Sequence, residues 1–315
     1  MKLLPAAACF SLAAFLFSCG RAGADTGLTG ASILTRPVGA RSSGMGRAFT
    51  AVPGDAESLL YNPAGPGLAA RSSVYLAYMN GFADGRYGLA ALPLRLGPLT
   101  LTPAYLYYDS GKITLNLSDG TQETVTAELD KVAMISGAYS PAAGLAVGGT
   151  LKFTTIALAE TASASASHYD LGILYRMASG LSFGAASLNH GDYIKFEEEG
   201  DPAPVTTRAG VSYKTEFRPE LIGSPDDISY SDIVLSADWS RTAKESSCYQ
   251  AGAEVNMEMS VGVMLSLRGG YLFDRDDEGM TLGVGVRKNE WNFGVGYETS
   301  KNLSPRFPVS LSLEF

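Results

Sequence analysis

The chain contains few of the residues from which metal centres, disulfide frameworks and most catalytic sites are built. Its 315 residues include three cysteines and two histidines, and only 18% are Asp, Glu, Lys or Arg. No Cys or His cluster has metal-ligand spacing, and no serine stands at a recognisable spacing from His168 or His190. The acidic run Glu197-Glu198-Glu199 lacks the alternating oxygen ligands of a calcium loop. We expect neither an enzyme nor a bound cofactor or metal.

Long hydrophobic runs and positive charge are also scarce. After the first 24 residues no stretch offers the 18 or more consecutive apolar residues of a membrane-spanning helix, which excludes a helical membrane protein. The chain has 24 Lys and Arg against 32 Asp and Glu, a net charge of −8. Nucleic acid is therefore not expected as a partner, because phosphate binding requires a basic surface.

The first 24 residues have the pattern of a secretory signal peptide. An apolar region, Leu3 to Phe17, follows a positive start and precedes the small-residue cleavage site Ala22-Gly23-Ala24. The mature protein is expected to begin at Asp25 and to retain one cysteine, Cys248, which excludes disulfides within the chain. In the alternative interpretation Cys19 is the acylated residue of a lipobox, but the bulky residue two positions before it disfavours that site.

From about residue 72 onwards, apolar residues occupy alternate positions between Gly, Asp, Asn and Pro turns, the pattern of β-strands. In a soluble sandwich the apolar faces would form a core, whereas in a membrane barrel they would contact lipid. Alternation alone fits both. The three final segments show it most clearly, at Met280, Leu282, Val284, Val286, Trp291, Phe293, Val295, Tyr297, Phe307, Val309, Leu311, Leu313 and Phe315.

Three features favour an all-β fold in the form of a transmembrane antiparallel barrel of about 14 strands. They are the export signal, segments of about 9 to 12 residues that match a tilted membrane span, and aromatic residues near segment ends, as in the girdles of outer-membrane barrels. Those aromatics are Tyr87, Tyr175, Tyr213, Trp239, Tyr271 and Trp291. The predicted strands cover 72–82, 86–96, 99–118, 122–140, 144–157, 167–177, 180–190, 204–215, 229–241, 246–257, 260–272, 278–288, 290–299 and 307–315.

The third segment contains a turn-like Asp109-Ser110-Gly111, yet one parity of apolar residues continues through it. We therefore expect one long strand with a bulge at Gly111. If the first and last strands both end in the periplasm, the turns near 97, 142, 179, 258 and 289 are periplasmic, and they are short. The segment 216–228 lies on the same side but is long. The last strand ends at Phe315, where we expect the barrel assembly machinery to bind.

Residues 25–71 lack strand alternation, are rich in Gly and Ala, and contain short motifs in a fixed order. The motifs are Gly39-Ala40-Arg41, Gly44-Met45-Gly46, Asp55 and Asn62-Pro63-Ala64-Gly65, followed in the strand region by Asp170-Leu171-Gly172, Arg208-Ala209-Gly210 and Arg268-Gly269-Gly270-Tyr271. Each motif is weak alone. Their succession, over most of the mature chain, resembles the FadL-like outer-membrane proteins, and most closely the PorV/PorQ-like branch.

After the signal peptide (1–24), the resemblance implies an N-terminal hatch or plug (25–71) and an outer-membrane barrel (72–315). In the FadL-like branch it implies passage of hydrophobic small molecules such as fatty acids. In the PorV-like branch it implies escort or anchoring of secreted proteins at the surface, as in type IX secretion. Two features depart from the family pattern: Pro53-Gly54-Asp55 stands where paired acids are common, and the outer segments 158–166 and 191–203 are short and polar.

Strand parity turns charged side chains of both signs towards the expected lumen. Inward carboxylates that could pin the hatch arginines Arg36, Arg41 and Arg47 are Asp170, Asp238, Glu254 and Glu298. We favour pinning for Arg41, while pinning and simple solvation are level for Arg36 and Arg47. The inward cations are Lys152, Arg176, Arg208, Lys214, Arg268 and Arg287. Most are expected in a salt-bridge network, with Arg208 and Arg268 as the best candidates for a ligand carboxylate.

Two functions follow from these observations. The first is passive transport or binding of a hydrophobic compound by a plugged barrel in the outer membrane of a diderm bacterium. The second is a scaffold that docks secreted proteins without transporting anything. A continuous apolar path through the barrel favours the first, whereas a lumen filled with charged pairs favours the second.

Overall fold

The structure is a computed structural model that describes residues 29–315 except 37, 82–83, 217–230 and 261. The predicted signal peptide, Cys19 and the expected mature start at Asp25 lie outside the described residues, as does most of the segment 216–228. Predictions made for those regions stay predictions.

The fold is an antiparallel β-barrel, as the strand alternation together with the export signal, segment lengths and aromatic residues predicts. The strands are β1 (Ser73–Asn80), β2 (Arg86–Ala91), β3 (Leu94–Leu96), β4 (Leu99–Asp109), β5 (Lys112–Asn116), β6 (Gln122–Thr126), β7 (Glu128–Ala142), β8 (Leu145–Leu158), β9 (Ala162–Arg176), β10 (Leu181–Gly191), β11 (Ile194–Lys195), β12 (Gly200–Asp201), β13 (Thr206–Glu216), β14 (Ser231–Thr242), β15 (Cys248–Ser260), β16 (Val263–Phe273), β17 (Glu278–Lys288), β18 (Trp291–Ser300) and β19 (Val309–Glu314). The pairs β5–β6 and β11–β12 are separate small sheets.

The barrel closes where its last strand meets its first. β19 pairs with β1, with Leu311 opposite Leu76, so neither the first nor the last barrel strand leaves an unpaired edge. β2 and β3 both pair with β4 and form one barrel strand, interrupted at Leu92-Pro93, where the proline has no N–H for the ladder. Counted in this way, the described residues form fourteen barrel strands, which confirms the predicted number.

The predicted third strand is wrong in its length. β4 ends at Asp109, and Lys112–Asn116 turns away to pair with Gln122–Thr126 in a hairpin of its own. Gly111 adopts a φ of 83°, and its N–H donates to Asp109 Oδ1 at 2.8 Å, which closes a turn where a bulge was expected. The apolar parity continues because the hairpin has an alternation of its own.

The two faces of the barrel strands differ as predicted. Along β18, Trp291, Phe293 and Val295 are exposed, whereas Gly294 and Glu298 are buried on the inner face. Large apolar side chains cover the outside of most barrel strands, which is the surface that lipid requires. One girdle residue is misassigned: Tyr87 is buried on the inner face, where it stacks on Tyr108 with 4.4 Å between ring centroids.

The connections give the barrel two unlike ends. The predicted short turns near 97, 142, 179, 258 and 289 lie together at one end, here called the turn end. The opposite end, the loop end, carries the β5–β6 and β11–β12 hairpins and the connections after β14, β16 and β18.

Before β1, the described residues 29–36 and 38–71, here called the N-terminal segment, form four short helical turns. They are Ser32–Thr35, Ala40–Gly44, Ala56–Leu60 and Gly65–Leu68, of which only Ala40–Gly44 is α-helical. Among the described residues, no helix has the length and apolar character needed to cross a membrane.

Candidate functional site

Three clusters of arginines and carboxylates join the N-terminal segment to inward-facing strand residues. In the first, here called the Arg41 cluster, Arg41 donates to both carboxylate oxygens of Glu254 at 2.7 and 2.8 Å and to Asp55 at 2.9 Å. Arg268 donates to the same Glu254 at 2.7 Å. A bidentate guanidinium–carboxylate contact of this kind fixes orientation as well as distance.

The Arg47 cluster lies nearer the loop end. Arg47 contacts Glu298 at 2.6 Å and Glu278 at 3.1 Å. Arg306 contacts the same two carboxylates, at 3.0 Å for Glu298. Two arginines and two acids thus share one site. Sequence reasoning identified Arg47 and Glu298 but missed Glu278 and Arg306, which lie in loop-end positions without a motif.

The Arg208 cluster holds backbone as well as side chains. Asp238 accepts hydrogen bonds from the backbone N–H groups of Phe49 and Thr50 at 2.9 and 2.8 Å and from the Thr50 hydroxyl at 2.5 Å. Arg208 contacts Asp238 at 3.1 Å, and its guanidinium lies 4.9 Å from the centre of the Tyr61 ring. Within the described part of the N-terminal segment these two N–H groups have no acceptor. Asp238 therefore satisfies them from the barrel wall.

The remaining charged candidates lie elsewhere. Asp170 pairs with Lys152 at 2.7 Å and accepts the backbone N–H of Asn189, so its partner is a strand lysine and not a segment arginine. Arg36 is half-buried beside a cavity at the loop end.

Three predicted luminal cations are exposed at the turn end instead of being enclosed. Arg176, Lys214 and Arg287 each lie within the last three positions of their strands, β9, β13 and β17. Their alternation continues to the strand end, but there the wall opens to solvent, so parity no longer implies burial.

The short motifs of the N-terminal segment contact the short motifs of the strands. Asn62 accepts the N–H of Ala64 at 3.0 Å and donates to the carbonyls of Thr50 and Ile173 at 2.9 and 3.0 Å. A Cβ on Gly172 would lie 2.1 Å from the Asn62 amide oxygen. The Asp170-Leu171-Gly172 block thus leaves room for the Asn62-Pro63 turn.

The Gly44-Met45-Gly46 motif likewise packs against one of the strand motifs. Gly46 has a φ of 62°, and a Cβ there would lie 2.6 Å from the backbone N of Tyr271. A Cβ on Gly270 would lie 2.2 Å from the N of Gly46. Backbone therefore packs on backbone where the Gly44-Met45-Gly46 and Arg268-Gly269-Gly270-Tyr271 motifs meet.

A second carboxylate stands two residues after Asp55. Glu57 is 1% exposed and accepts a hydrogen bond from the Ser42 hydroxyl at 2.8 Å. Any Cβ at position 39 would fall 1.6 Å from its Oε2, so Gly39 leaves the space that this carboxylate occupies. The sequence reasoning missed Glu57 because Pro53-Gly54-Asp55 contains a single acid; the helical turn Ala56–Leu60 brings the second one inward.

On another side, the N-terminal segment packs against an apolar part of the barrel interior. Six inward residues of β1, β2, β4 and β7 form what is here called the apolar wall: Tyr75, Met79, Leu89, Leu106, Val132 and Met134. Ile33, Val38 and Leu59 of the N-terminal segment belong to the same buried cluster. Barrel interiors are usually polar, so an apolar wall calls for a covering segment or an apolar ligand.

A cavity of about 1170 Å³ opens at the loop end. Its floor includes Leu34, Leu60 and Tyr61 of the N-terminal segment, and its sides carry polar and charged residues such as Arg241 and Gln250. Two cavities of about 540 and 510 Å³ lie at the turn end.

The two histidines are placed apart from these clusters. His168 is buried on the inner face, with Nδ1 3.3 Å from the Thr154 hydroxyl. His190 lies 2.6 Å from the Ser187 hydroxyl, because a register shift between those residues brings them onto one face. Cys248 is a buried free thiol. Among the described residues no His, Cys, Asp and Glu group has the arrangement of a metal site.

No protein-family model matches the chain, and no curated protein matches its sequence. Solved structures do match it. The CymD monoaromatic hydrocarbon channel has a TM-score of 0.57 at 12% identity, over 88% of this chain and 97% of the channel. For the Pseudomonas putida toluene transporter TodX the values are 0.55 and 10%, over 87% and 96%. For a Pseudomonas aeruginosa FadL homologue they are 0.51 and 10%, over 88% and 98%.

The chain shares its barrel fold with these three proteins. At these identities the similarity concerns the fold, and it agrees with the FadL-like resemblance of the sequence. The closer likeness to the PorV/PorQ-like branch stays a prediction.

Proposed function

We propose that this protein is an outer-membrane channel for the passive transport or binding of hydrophobic small molecules, with the N-terminal segment as its hatch. The observation that carries the proposal is the apolar wall. A water-filled pore has no need of inward Met79, Leu89 and Met134, whereas an apolar compound leaving water gains free energy along such a surface.

Two further observations support this function. The outside of the barrel carries exposed aliphatic and aromatic side chains on most strands, as a lipid-facing surface does. The similar solved structures include channels named for toluene and for monoaromatic hydrocarbons. Small hydrocarbons, and fatty acids as in the wider FadL-like group, are therefore the ligand classes to test first.

Passage along the apolar wall requires the N-terminal segment to move away from it. Apolar contacts such as that of Leu59 tolerate sliding, because they have no preferred direction. The arginine clusters must loosen for this movement, because they hold the segment to β13–β18. The chain after Asn62-Pro63 continues directly into β1 and serves as the tether.

A reversible cross-link tests this function. A Cβ at position 294 would lie 3.2 Å from Ala40 Cβ, slightly closer than the roughly 3.5–4.5 Å of a disulfide, so after a small outward shift A40C with G294C can tie the N-terminal segment to β18. The background is Cys248→Ser. Uptake of radiolabelled toluene by cells that lack their own channel should be low when the cross-link is oxidised and recover with dithiothreitol.

The matched control is a cross-link within the tether. A Cβ at position 67 would lie 3.2 Å from Ala146 Cβ and 2.9 Å from Ala138 Cβ, so G67C with A146C, after a small shift at Ala138, ties a part of the chain that need not move. Uptake through this variant should be alike in both redox states. Absence of uptake through every reduced protein would overturn transport, whereas equal uptake by oxidised and reduced A40C/G294C would overturn the hatch alone.

A second candidate is the scaffold for secreted proteins. It is favoured by the charged pairs at the inner face and by the polar sides of the loop-end cavity, which offer an apolar compound little at the entrance. Native mass spectrometry of detergent-purified protein separates the two candidates. A co-purified lipid or hydrocarbon supports transport, and a stoichiometric secreted protein supports the scaffold.

A further inference from the structure

The charges of the Arg41 cluster do not balance once Glu57 is included. Arg41 and Arg268 supply two positive charges, whereas Asp55, Glu57 and Glu254 supply three negative charges when all are ionised. Glu254 takes hydrogen bonds from both arginines and Asp55 takes one from Arg41. Glu57 accepts from the neutral Ser42 hydroxyl, and its other neighbour is the hydroxyl of Tyr75 in the apolar wall.

The surroundings of Glu57 disfavour its ionised form. Its side chain is almost completely buried, and the groups that face it are Asp55, Ser42, Arg41, Arg268 and the hydroxyls of Tyr61 and Tyr75. Burial, and then the charge of Asp55, raise the pKa of Glu57 from its ordinary value of 4.5 to about 7, against the opposing effect of Ser42 and the two arginines.

We propose that Glu57 links the position of the N-terminal segment to one proton. In the seated state Glu57 holds the proton and the cluster is neutral. Once the proton leaves, three carboxylates share two guanidinium groups in a buried place, and the segment is held less tightly. Seating and release are thus two states that differ in protonation at one side chain. The inference rests on the proposed function only in treating the N-terminal segment as the hatch.

The direction of the effect follows from proton linkage. A carboxyl whose pKa is raised in the seated state stabilises that state fully below its ordinary pKa, and the advantage falls as pH rises towards the raised value. The window is therefore from about pH 4.5 to 7. For one proton, the equilibrium between seated and released forms changes by at most about tenfold per pH unit.

Hydrogen exchange of the full-length protein in detergent measures seating without any transport. Exchange of backbone amides in residues 39–62 is compared at pH 5.0 and 7.5 after correction for intrinsic exchange rates. In the wild-type protein we expect protection to fall at least tenfold at the higher pH. In Glu57→Gln, which keeps an acceptor for Ser42 and cannot ionise, protection should be equal at both pH values.

Two further variants keep the inference falsifiable if Glu57→Gln folds poorly. Glu197→Gln removes the same charge from an exposed loop position and should behave as the wild type does. Ser42→Ala removes a donor that stabilises the ionised carboxylate, so the loss of protection should shift to higher pH. A wild-type protein with pH-independent protection, or a Glu57→Gln variant with unchanged pH dependence, overturns the proposal. Because exchange is read without a ligand, failure of toluene uptake would leave this result intact.

Discussion

The N-terminal segment meets two different walls of one barrel. Towards β13–β18 it is held by the three arginine clusters, in which donors and acceptors fix both distance and direction. Towards β1–β7 it is held by the apolar wall, where Leu59 and its neighbours contribute area but no direction. The same segment therefore has one side that specifies its position, and another along which a ligand of the proposed channel would compete with it.

Deleting residues 28–58, with the signal and the Asn62-Pro63 turn retained, should have the largest effect on this arrangement. Both walls then lose their covering segment together, so single-channel conductance in planar bilayers should rise well above that of the intact protein. Heat-modifiable migration in gels verifies that both proteins are folded barrels. Equal conductance by two folded barrels would show that the N-terminal segment does not close the lumen.

Glu254→Gln should break the ion-paired side alone. The substitution leaves Arg41 and Arg268 facing a neutral amide, and removal of one partner from a buried ion pair costs about 3–5 kcal/mol. Urea unfolding in lipid vesicles measures the loss. The control is Glu290→Gln, which lies at an exposed turn and should change little. A loss below about 1 kcal/mol would mean that the cluster contributes no more than a surface pair does.

The sequence predicts some contacts of these two walls and not others. Alternation correctly predicts the exposed and buried faces of β18, because a period of two has one solution once the export signal indicates lipid outside. The pairing of Arg41 with Glu254 spans 213 positions, and parity could only place both on the inner side with several other partners available. Glu57 was missed because a helical turn, and not strand parity, directs it inward.

The errors have a physical origin as well. The β5–β6 hairpin keeps the alternation of a continuous strand, and a glycine with left-handed φ such as Gly111 suits a bulge as well as a turn. Only the pairing of β5 with β6 distinguishes the two. Tyr87 lies near a strand end as girdle residues do, but it stacks inward on Tyr108. An inward aromatic is exceptional in a polar lumen and expected in an apolar one. The apolar wall is thus the feature that strand-by-strand reasoning did not anticipate.

The outer face of the barrel should differ from both inner walls. Val295→Arg places a charge on the lipid-facing side of β18 and should cost about 2–4 kcal/mol if it lies near the membrane midplane. Asn292→Arg, on the inner side of the same strand, should cost less. Vesicle unfolding of both variants tests this. Equal losses would mean that the exposed apolar face of the strand does not meet lipid.

Leu59→Ala should have the smallest effect on stability and the most specific effect on function. Leu59 is completely buried between the N-terminal segment and the apolar wall, and truncation of such a leucine costs about 2 kcal/mol where the site can partly collapse, the lower end of the usual range. The lost contacts hold the N-terminal segment to the apolar wall and not one barrel strand to another. The cost should therefore appear as faster hydrogen exchange in residues 56–60, and urea unfolding of the barrel should barely change. Toluene uptake should increase, because the ligand then competes with a weaker contact along the same wall.

The control is Leu96→Ala, at an exposed outer position. It should change neither hydrogen exchange in residues 56–60 nor toluene uptake. If Leu59→Ala speeds exchange but leaves uptake as it was, the apolar wall supports the N-terminal segment without being the path of the ligand, and the scaffold becomes the better explanation.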